Sequence, residues 1–225
     1  MRICLSFILC LTVGLILFSS ARAEDDADWQ RLAKWQKAIA AFEEQDQSQP
    51  PPKGAILFVG SSSIRLWDLP KSFPNRPVIN RGFGGSHISD SVHFAERVIL
   101  KHQPRLVVFY AGDNDIAGKK SPDKVLSDFQ ALVRKIHAAL PKTRIAFIAI
   151  KPSLKRWDMF ETQKQANALV ADYCGKDERL IYIDIVRPML GEDGKPRPEL
   201  FVADGLHLSP AGYRVWTETV QPHLP

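Results

Sequence analysis

The chain has 225 residues, 45% apolar and 24% charged, which is enough for one domain with a sizeable core and too few for a second full one. Its formal charge of +5 is mild and dispersed, so neither nucleic acid nor an acidic polymer is expected as a partner.

Residues 1–23 read as a secretory signal: Arg2 opens the segment, Ile3 to Phe18 is apolar, and Ala21-Arg22-Ala23 precedes acidic Glu24. An uncleaved anchor is the alternative, but the apolar stretch falls short of the ~20 residues of a spanning helix. Lipoprotein processing would need a small residue where Leu9 precedes Cys10. Cleavage removes Arg2 and Arg22 and no acid, so the formal +5 becomes +3. Cys4 and Cys10 leave as well, and Cys174 stays alone in an oxidising compartment, periplasmic or extracellular. The mature fold is thus predicted to lack an internal disulfide and to make no membrane contact. Cys174, before Gly175 near a helix end, reads as structural rather than as a nucleophile.

Residues 24–54 form a second segment. Trp29, Leu32, Trp35 or Ala33, Ile39 and Phe42 recur at helical spacing and predict a helix from Asp28 to Phe42, appended to the body. The polar QDQSQPPPKG after it reads as a linker, since prolines bar helix and strand alike.

From residue 55 to 225, short apolar runs alternate with longer helical patterns. The runs are Ala55 to Val59, Pro77 to Asn80, Leu106 to Tyr110, Ile145 to Ile150 and Leu180 to Ile185. Helices are predicted from Ser86 to His102, Ser121 to Leu140, Asp158 to Cys174 and Ser209 to His223. Strands that are apolar throughout are buried on both faces, hence parallel and covered by helices. The pattern predicts an α/β fold, a three-layer α/β/α sandwich around a doubly wound, parallel five-stranded sheet. Sites in such sheets lie beyond the carboxyl ends of the strands, and the unusual residues fall there. GSSS, RGFGGSH, AGDND and KPSLKRWD follow the first four runs, and the loop after the fifth ends in ADGLHLSPAGY.

Several familiar signatures are missing or explained otherwise. Gly60-Ser61-Ser62-Ser63-Ile64 lacks the second glycine of G-x-S-x-G, and Gly82-Phe83-Gly84-Gly85-Ser86-His87 lacks the third glycine of a dinucleotide fingerprint. Ser121-Pro-Asp-Lys124 matches S-x-x-K, but that residue order is how a helix starts. His87, Asp90 and His93 are spaced around a helix rather than on one face, so no metal is expected there. Trp157 either borders the cleft or covers the helix behind it.

Asp204 and His207, three apart before a helix capped by Ser209, can pair so that the carboxylate orients the ring and frees its other nitrogen to take a proton. Read alone, the same residues could form an Asx-type turn and a surface histidine. Asn114 follows the third run, and Gly85 lies in a glycine-rich turn whose N–H can point at an anion. A serine hydroxyl, backbone donors, an amide and a His with its Asp are the parts of an acyl-transfer site.

With these four blocks in order, GSSS, NRGFGGS, AGDND and DGLHLSPAGY, the chain resembles the SGNH or GDSL-type serine esterases and lipases across roughly residues 55 to 223. The resemblance implies a flavodoxin-like fold without metal or organic cofactor. It implies Ser62 as nucleophile, His207 as base oriented by Asp204, and an oxyanion hole made by the Ser62 N–H, Gly85 and Asn114. Ser61 and Ser86 stand where such proteins usually and often carry Asp, which is expected to loosen the turn that holds Ser62. The implied function is hydrolysis of a small-molecule or glycan ester, with a short acyl group on a sugar or small alcohol. The alternatives are a lysophospholipase or thioesterase, and a non-catalytic glycan-binding domain that keeps the fold.

Overall fold

The computed structural model describes residues 32–225. The predicted signal at residues 1–23 and the start of the predicted N-terminal helix, Trp29 included, lie outside the described residues. The chain divides into two compact units, residues 1–41 and 42–225. Helix α1 covers residues 32–48, so residues 45–48, read as linker from their polarity, are still helical. The extended segment starts only as the prolines at 50–52 approach.

Five strands follow: β1 (Ile56–Gly60), β2 (Val78–Gly82), β3 (Leu106–Tyr110), β4 (Arg144–Ile148) and β5 (Leu180–Ile183). All pair in parallel in the order β2-β1-β3-β4-β5. The central strands β1 and β3 are buried at every position, which is why their sequences are continuously apolar rather than alternating. Between them lie α2 (Ser62–Arg65), α3 (Leu69–Ser72), α4 (Ile88–His93), α5 (Ala95–Val98), α6 (Asp113–Ala117), α7 (Pro122–Ala139) and α8 (Phe160–Cys174), and after β5 come α9 (Val186–Met189) and α10 (Pro210–Val220).

Helices cover both faces of the sheet. Side chains alternate along each strand, so Phe58, Val108 and Tyr110 share one core with Trp67, Trp216 and Val220. Phe109 and Phe147 pack on the opposite side against Phe129 of α7. The three-layer sandwich predicted from the alternation of runs is therefore the fold. One predicted helix is wrong in its continuity: the stretch from Ser86 to His102 is α4, α5 and a 3₁₀ turn at Leu100–His102. Ser89-Asp90-Ser91 supplies little helix propensity, and the break at Phe94 seats its buried ring edge-on against Phe83. Among the described residues no helix is long and apolar enough to cross a membrane.

The topology places a crevice. From β1 the chain moves outward to β2, then returns past β1 to β3 and continues the other way, so the connections diverge between β1 and β3. Register aligns the strand ends there, Gly60 with Gly82 on one side and with Tyr110 on the other. The loops after β1, β2 and β3 consequently open at one level beside this switch point.

Candidate active site

Gly60 ends β1 with φ +139°, and a Cβ added to it would lie 1.9 Å from the Tyr110 carbonyl oxygen. Only glycine allows this approach, and it lets the Ser61 N–H donate to that same carbonyl at 2.9 Å. Ser61 is extended and nearly buried, and its carbonyl accepts the N–H groups of Ile64 and Arg65. The turn is thus fixed by backbone bonds, and the Ser61 hydroxyl makes no capping bond. The loosening expected from a missing carboxylate is answered by main-chain donors and acceptors. Asn80 of β2 adds to the hold, donating to the carbonyls of Ile64 and Trp67 at 2.7 and 3.2 Å. Sequence reading missed Asn80, because an asparagine inside a strand carries no motif.

Ser62 is the first residue of α2 and half-buried, whereas Ser63 is buried. The Ser62 hydroxyl lies 3.1 Å from His207 Nε2, and His207 Nδ1 lies 2.6 Å from Asp204 Oδ2. Asp204 Oδ1 also accepts the N–H groups of Leu206 and His207 at 2.8 and 2.9 Å. The hydrogen bond from His207, with the two backbone donors behind it, holds the Asp204 carboxyl down at about 2. Both readings of this turn are therefore true together: it is an Asx-type turn, and its free carboxylate oxygen orients a ring that reaches a serine.

The histidine turn is tied to the nucleophile turn through α10. Ser209 caps that helix by accepting the Gly212 N–H, with Pro210 at its first position. One turn later the Tyr213 hydroxyl donates to the Ser63 carbonyl at 3.0 Å.

The remaining predicted positions follow β2 and β3, the strands on either side of β1. Gly85 is exposed with φ +79°, and neither its N–H nor that of Ser62 has a protein acceptor among the described residues. Asn114, in α6 just beyond β3, donates from Nδ2 to the Ser86 carbonyl at 3.1 Å. Asp115, fully buried, accepts the Ile88 N–H, so the loop after β3 is bonded twice to the loop after β2. Ser86 is buried and takes part through its carbonyl.

Beneath Asn114 lies a buried polar cluster that sequence reading did not find. Asp113 Oδ1 meets Arg156 Nη1 at 2.8 Å and Gln163 Nε2 at 3.2 Å, and Asp113 Oδ2 lies 3.4 Å from Lys151 Nζ. Burial lowers the Lys151 pKa although Asp113 opposes the shift. The signal available was Lys151 and Arg156, two of the three cations in KPSLKRWD, directly after an apolar run, where a charge needs a partner.

Other singled-out residues have structural duties. Asp90 accepts the His87 N–H at 2.7 Å in a capping box, and the His93 ring packs edge-on against Phe94. Ser121 caps α7 by accepting the Lys124 N–H. Trp157 stacks on Phe160 at the start of α8. Cys174 is buried, and burial pushes its thiol up to about 12, far from a thiolate at neutral pH.

Beside His207 runs an open groove of about 740 Å³, walled by Leu66, Trp67, Val202, Leu208 and Tyr213. Leu66 and Val202 are each 44% exposed, so its walls present apolar surface to a ligand.

The family model described as GDSL-like Lipase/Acylhydrolase matches residues 64–215, more than half of the chain. The match starts just past Ser62 and takes in Gly85, Asn114, Asp204 and His207. No curated protein matches this sequence. Solved structures do. A candidate platelet activating factor from Streptococcus pneumonia is 20% identical with a TM-score of 0.77, over 92% of this chain and 99% of that one. A GDSL-like lipase from Bacteroides thetaiotaomicron is 18% identical with a TM-score of 0.69, over 82% and 96%. An acetylxylan esterase from Geobacillus stearothermophilus, solved as a catalytic mutant, is 16% identical with a TM-score of 0.61, over 76% and 94%. Likeness at these identities speaks for the fold.

Proposed function

The chain belongs to the GDSL-like lipase/acylhydrolase family and is a carboxylic ester hydrolase, and on that footing we propose that it cleaves its ester through an acyl-Ser62 intermediate. The observation that carries this reading is the unbroken relay from Ser62 Oγ to His207 Nε2 and from His207 Nδ1 to Asp204. His207 takes the Ser62 proton as the hydroxyl oxygen bonds to the ester carbon, then passes it to the departing alcohol. It next takes a proton from water, which attacks the acyl-enzyme and releases the acid, and returns that proton to Ser62. The N–H groups of Ser62 and Gly85 and the Asn114 amide hold the negative oxygen of each tetrahedral species.

The preferred substrate is a short acyl ester, acetyl-type, on a sugar or small alcohol. Support comes from the half-open setting of Ser62 and from the acetylxylan esterase of similar fold. A second reading, an ester or thioester with a longer apolar chain, is favoured by the groove beside His207. We also propose that the protein is exported, on the pattern of residues 1–23. A non-catalytic glycan-binding role would leave the Ser62 to His207 contact without a purpose.

Labelling with a fluorophosphonate, combined with an aryl ester series from acetyl to octanoyl, tests all of this. Wild type should be labelled, and Ser62→Ala should lose both label and turnover. Ser63→Ala, one helical step or about 100° further round, should stay near wild type. Ser61→Ala should lose little, since backbone bonds hold its turn. Turnover surviving in Ser62→Ala would overturn the assignment. Rates that rise from acetyl to octanoyl would select the second reading.

A further inference from the structure

We propose that Arg156 is a positioning residue that sets the orientation and the donor strength of the Asn114 amide. The inference rests on reading Asn114 as an oxyanion donor. Asn114 Oδ1 accepts from both terminal guanidinium nitrogens of Arg156, each at 3.2 Å, while Asn114 Nδ2 donates to the Ser86 carbonyl at 3.1 Å. A primary amide has two N–H donors and one oxygen, and a guanidinium has donors only. Turned over, the amide would set its NH₂ against the guanidinium and its oxygen against the Ser86 carbonyl, losing every bond it now makes. The cation therefore admits one orientation, in which one N–H is bonded to Ser86 and the other is left for a ligand.

A second effect follows from charge. A cation bound at the amide oxygen draws electron density from the nitrogen, so the remaining N–H becomes a stronger donor, the more so where water is scarce. Arg156 is well placed for this, because its side chain is only 17% exposed and Asp113 holds it in turn at 2.8 Å. Asp113 directly precedes Asn114, so the guanidinium is clamped to the segment it orients. The fork shape matters: two nitrogens converge on one amide oxygen, which a lysine ammonium would meet from a single point. The loop that carries Arg156 is anchored to the histidine turn as well, through the Lys155 N–H to the Gly205 carbonyl at 2.9 Å.

A plain structural ion pair with Asp113 would have the same distances, so the test has to show that the effect passes through Asn114. The measurement is kcat and KM for an aryl acetate in wild type, Arg156→Ala, Arg156→Lys, Asn114→Ala and the Arg156→Ala/Asn114→Ala double variant. Asn114→Ala should lower kcat by about 10²-fold, as for a lost oxyanion donor. Arg156→Ala should lower kcat by about 10- to 100-fold, the range for a lost charged hydrogen bond, with KM within about twofold. Arg156→Lys should fall between wild type and Arg156→Ala. In the Asn114→Ala background, removing Arg156 should cost less than about threefold. The inference is overturned if the Arg156→Ala loss is equal in both backgrounds, if it is confined to KM, or if it stays within about twofold of wild type. Should Arg156→Ala not fold by circular dichroism, Arg156→Lys, which keeps a cation against Asp113, decides: a wild-type kcat overturns the inference, and a reduced kcat with wild-type melting upholds it. An unchanged kcat in Asn114→Ala would show that the oxyanion reading itself fails, a result distinct from a normal Arg156→Ala beside an impaired Asn114→Ala.

Discussion

Replacing Asp204 with Asn separates the two things a carboxylate can do for His207. Oδ1 accepts the N–H groups of Leu206 and His207, and Oδ2 meets His207 Nδ1 at 2.6 Å. An asparagine keeps one oxygen, and that oxygen stays with the two backbone donors, since leaving them would face both with an NH₂. The NH₂ then takes the place of Oδ2 and can only donate, so Nδ1 becomes the acceptor and the ring proton moves to Nε2. A protonated Nε2 directed at the Ser62 hydroxyl, 3.1 Å away, cannot take its proton. The other contribution, attraction between carboxylate and imidazolium, is screened because the Asp204 side chain is 48% exposed, and is about 1 kcal/mol or less. Loss of the productive tautomer dominates, and in a related catalytic arrangement it lowers kcat by about 10⁴-fold. Asp204→Asn should accordingly lower kcat by roughly 10³- to 10⁴-fold, about 4–5 kcal/mol at 1.36 kcal/mol per decade. The assay is aryl acetate hydrolysis from mildly acid to mildly alkaline pH, with thermal melting to confirm the fold. In wild type the Asp204 carboxyl, held at about 2, stays ionised across that range, so its own protonation does not alter the rate there. The variant should be slow at every pH. The Asp204 carboxyl also gives wild type some stability that is present above its ordinary value of 3.8 and lost as pH falls through about 2, and the variant should lack that dependence. A loss below tenfold, or one confined to KM or to acid pH, would refute the tautomer reasoning.

Two further outcomes test the frame around this site. Gly60→Ala combines a Cβ 1.9 Å from the Tyr110 carbonyl oxygen with a φ of +139°, and should destabilise the protein by roughly 3–5 kcal/mol in urea unfolding; a midpoint equal to wild type would mean that the strand end can shift without cost. Mass spectrometry of the exported protein should find Glu24 as its first residue, and a soluble form that retains residues 1–23 would count against the proposed signal.

What could be read from the sequence follows from range. The five strands were legible because each holds a short apolar run, and burial on both faces demands a continuous one of β1 and β3. The meeting of Ser62, His207 and Asp204 was legible because short motifs mark them and the doubly wound pattern says where motifs must gather. The break at Phe94 was not legible, since it depends on Phe83 from another segment receiving the ring. Nor were the partners of Asn114: Ser86 lies 28 positions before it and Arg156 lies 42 after it, and nothing local joins the three. The backbone support of the Ser61 turn was not legible for the same reason, because its N–H donates to the Tyr110 carbonyl on a neighbouring strand.

The contact between Ser62 and His207 spans 145 positions, and the one between Ser63 and Tyr213 spans 150. Closing such separations is entropically slow, and a parallel sheet with crossovers adds further delay. The turn that holds Ser62 is bonded to β2 and β3 through Asn80 and Tyr110, but the histidine that meets its hydroxyl comes after every strand in the chain. A chain that ends before Asp204 would carry Ser62 and the strands around it without the histidine that meets its hydroxyl. Turnover therefore calls on both ends of the sheet-forming chain, since Ser62 follows the first strand and His207 lies beyond the last.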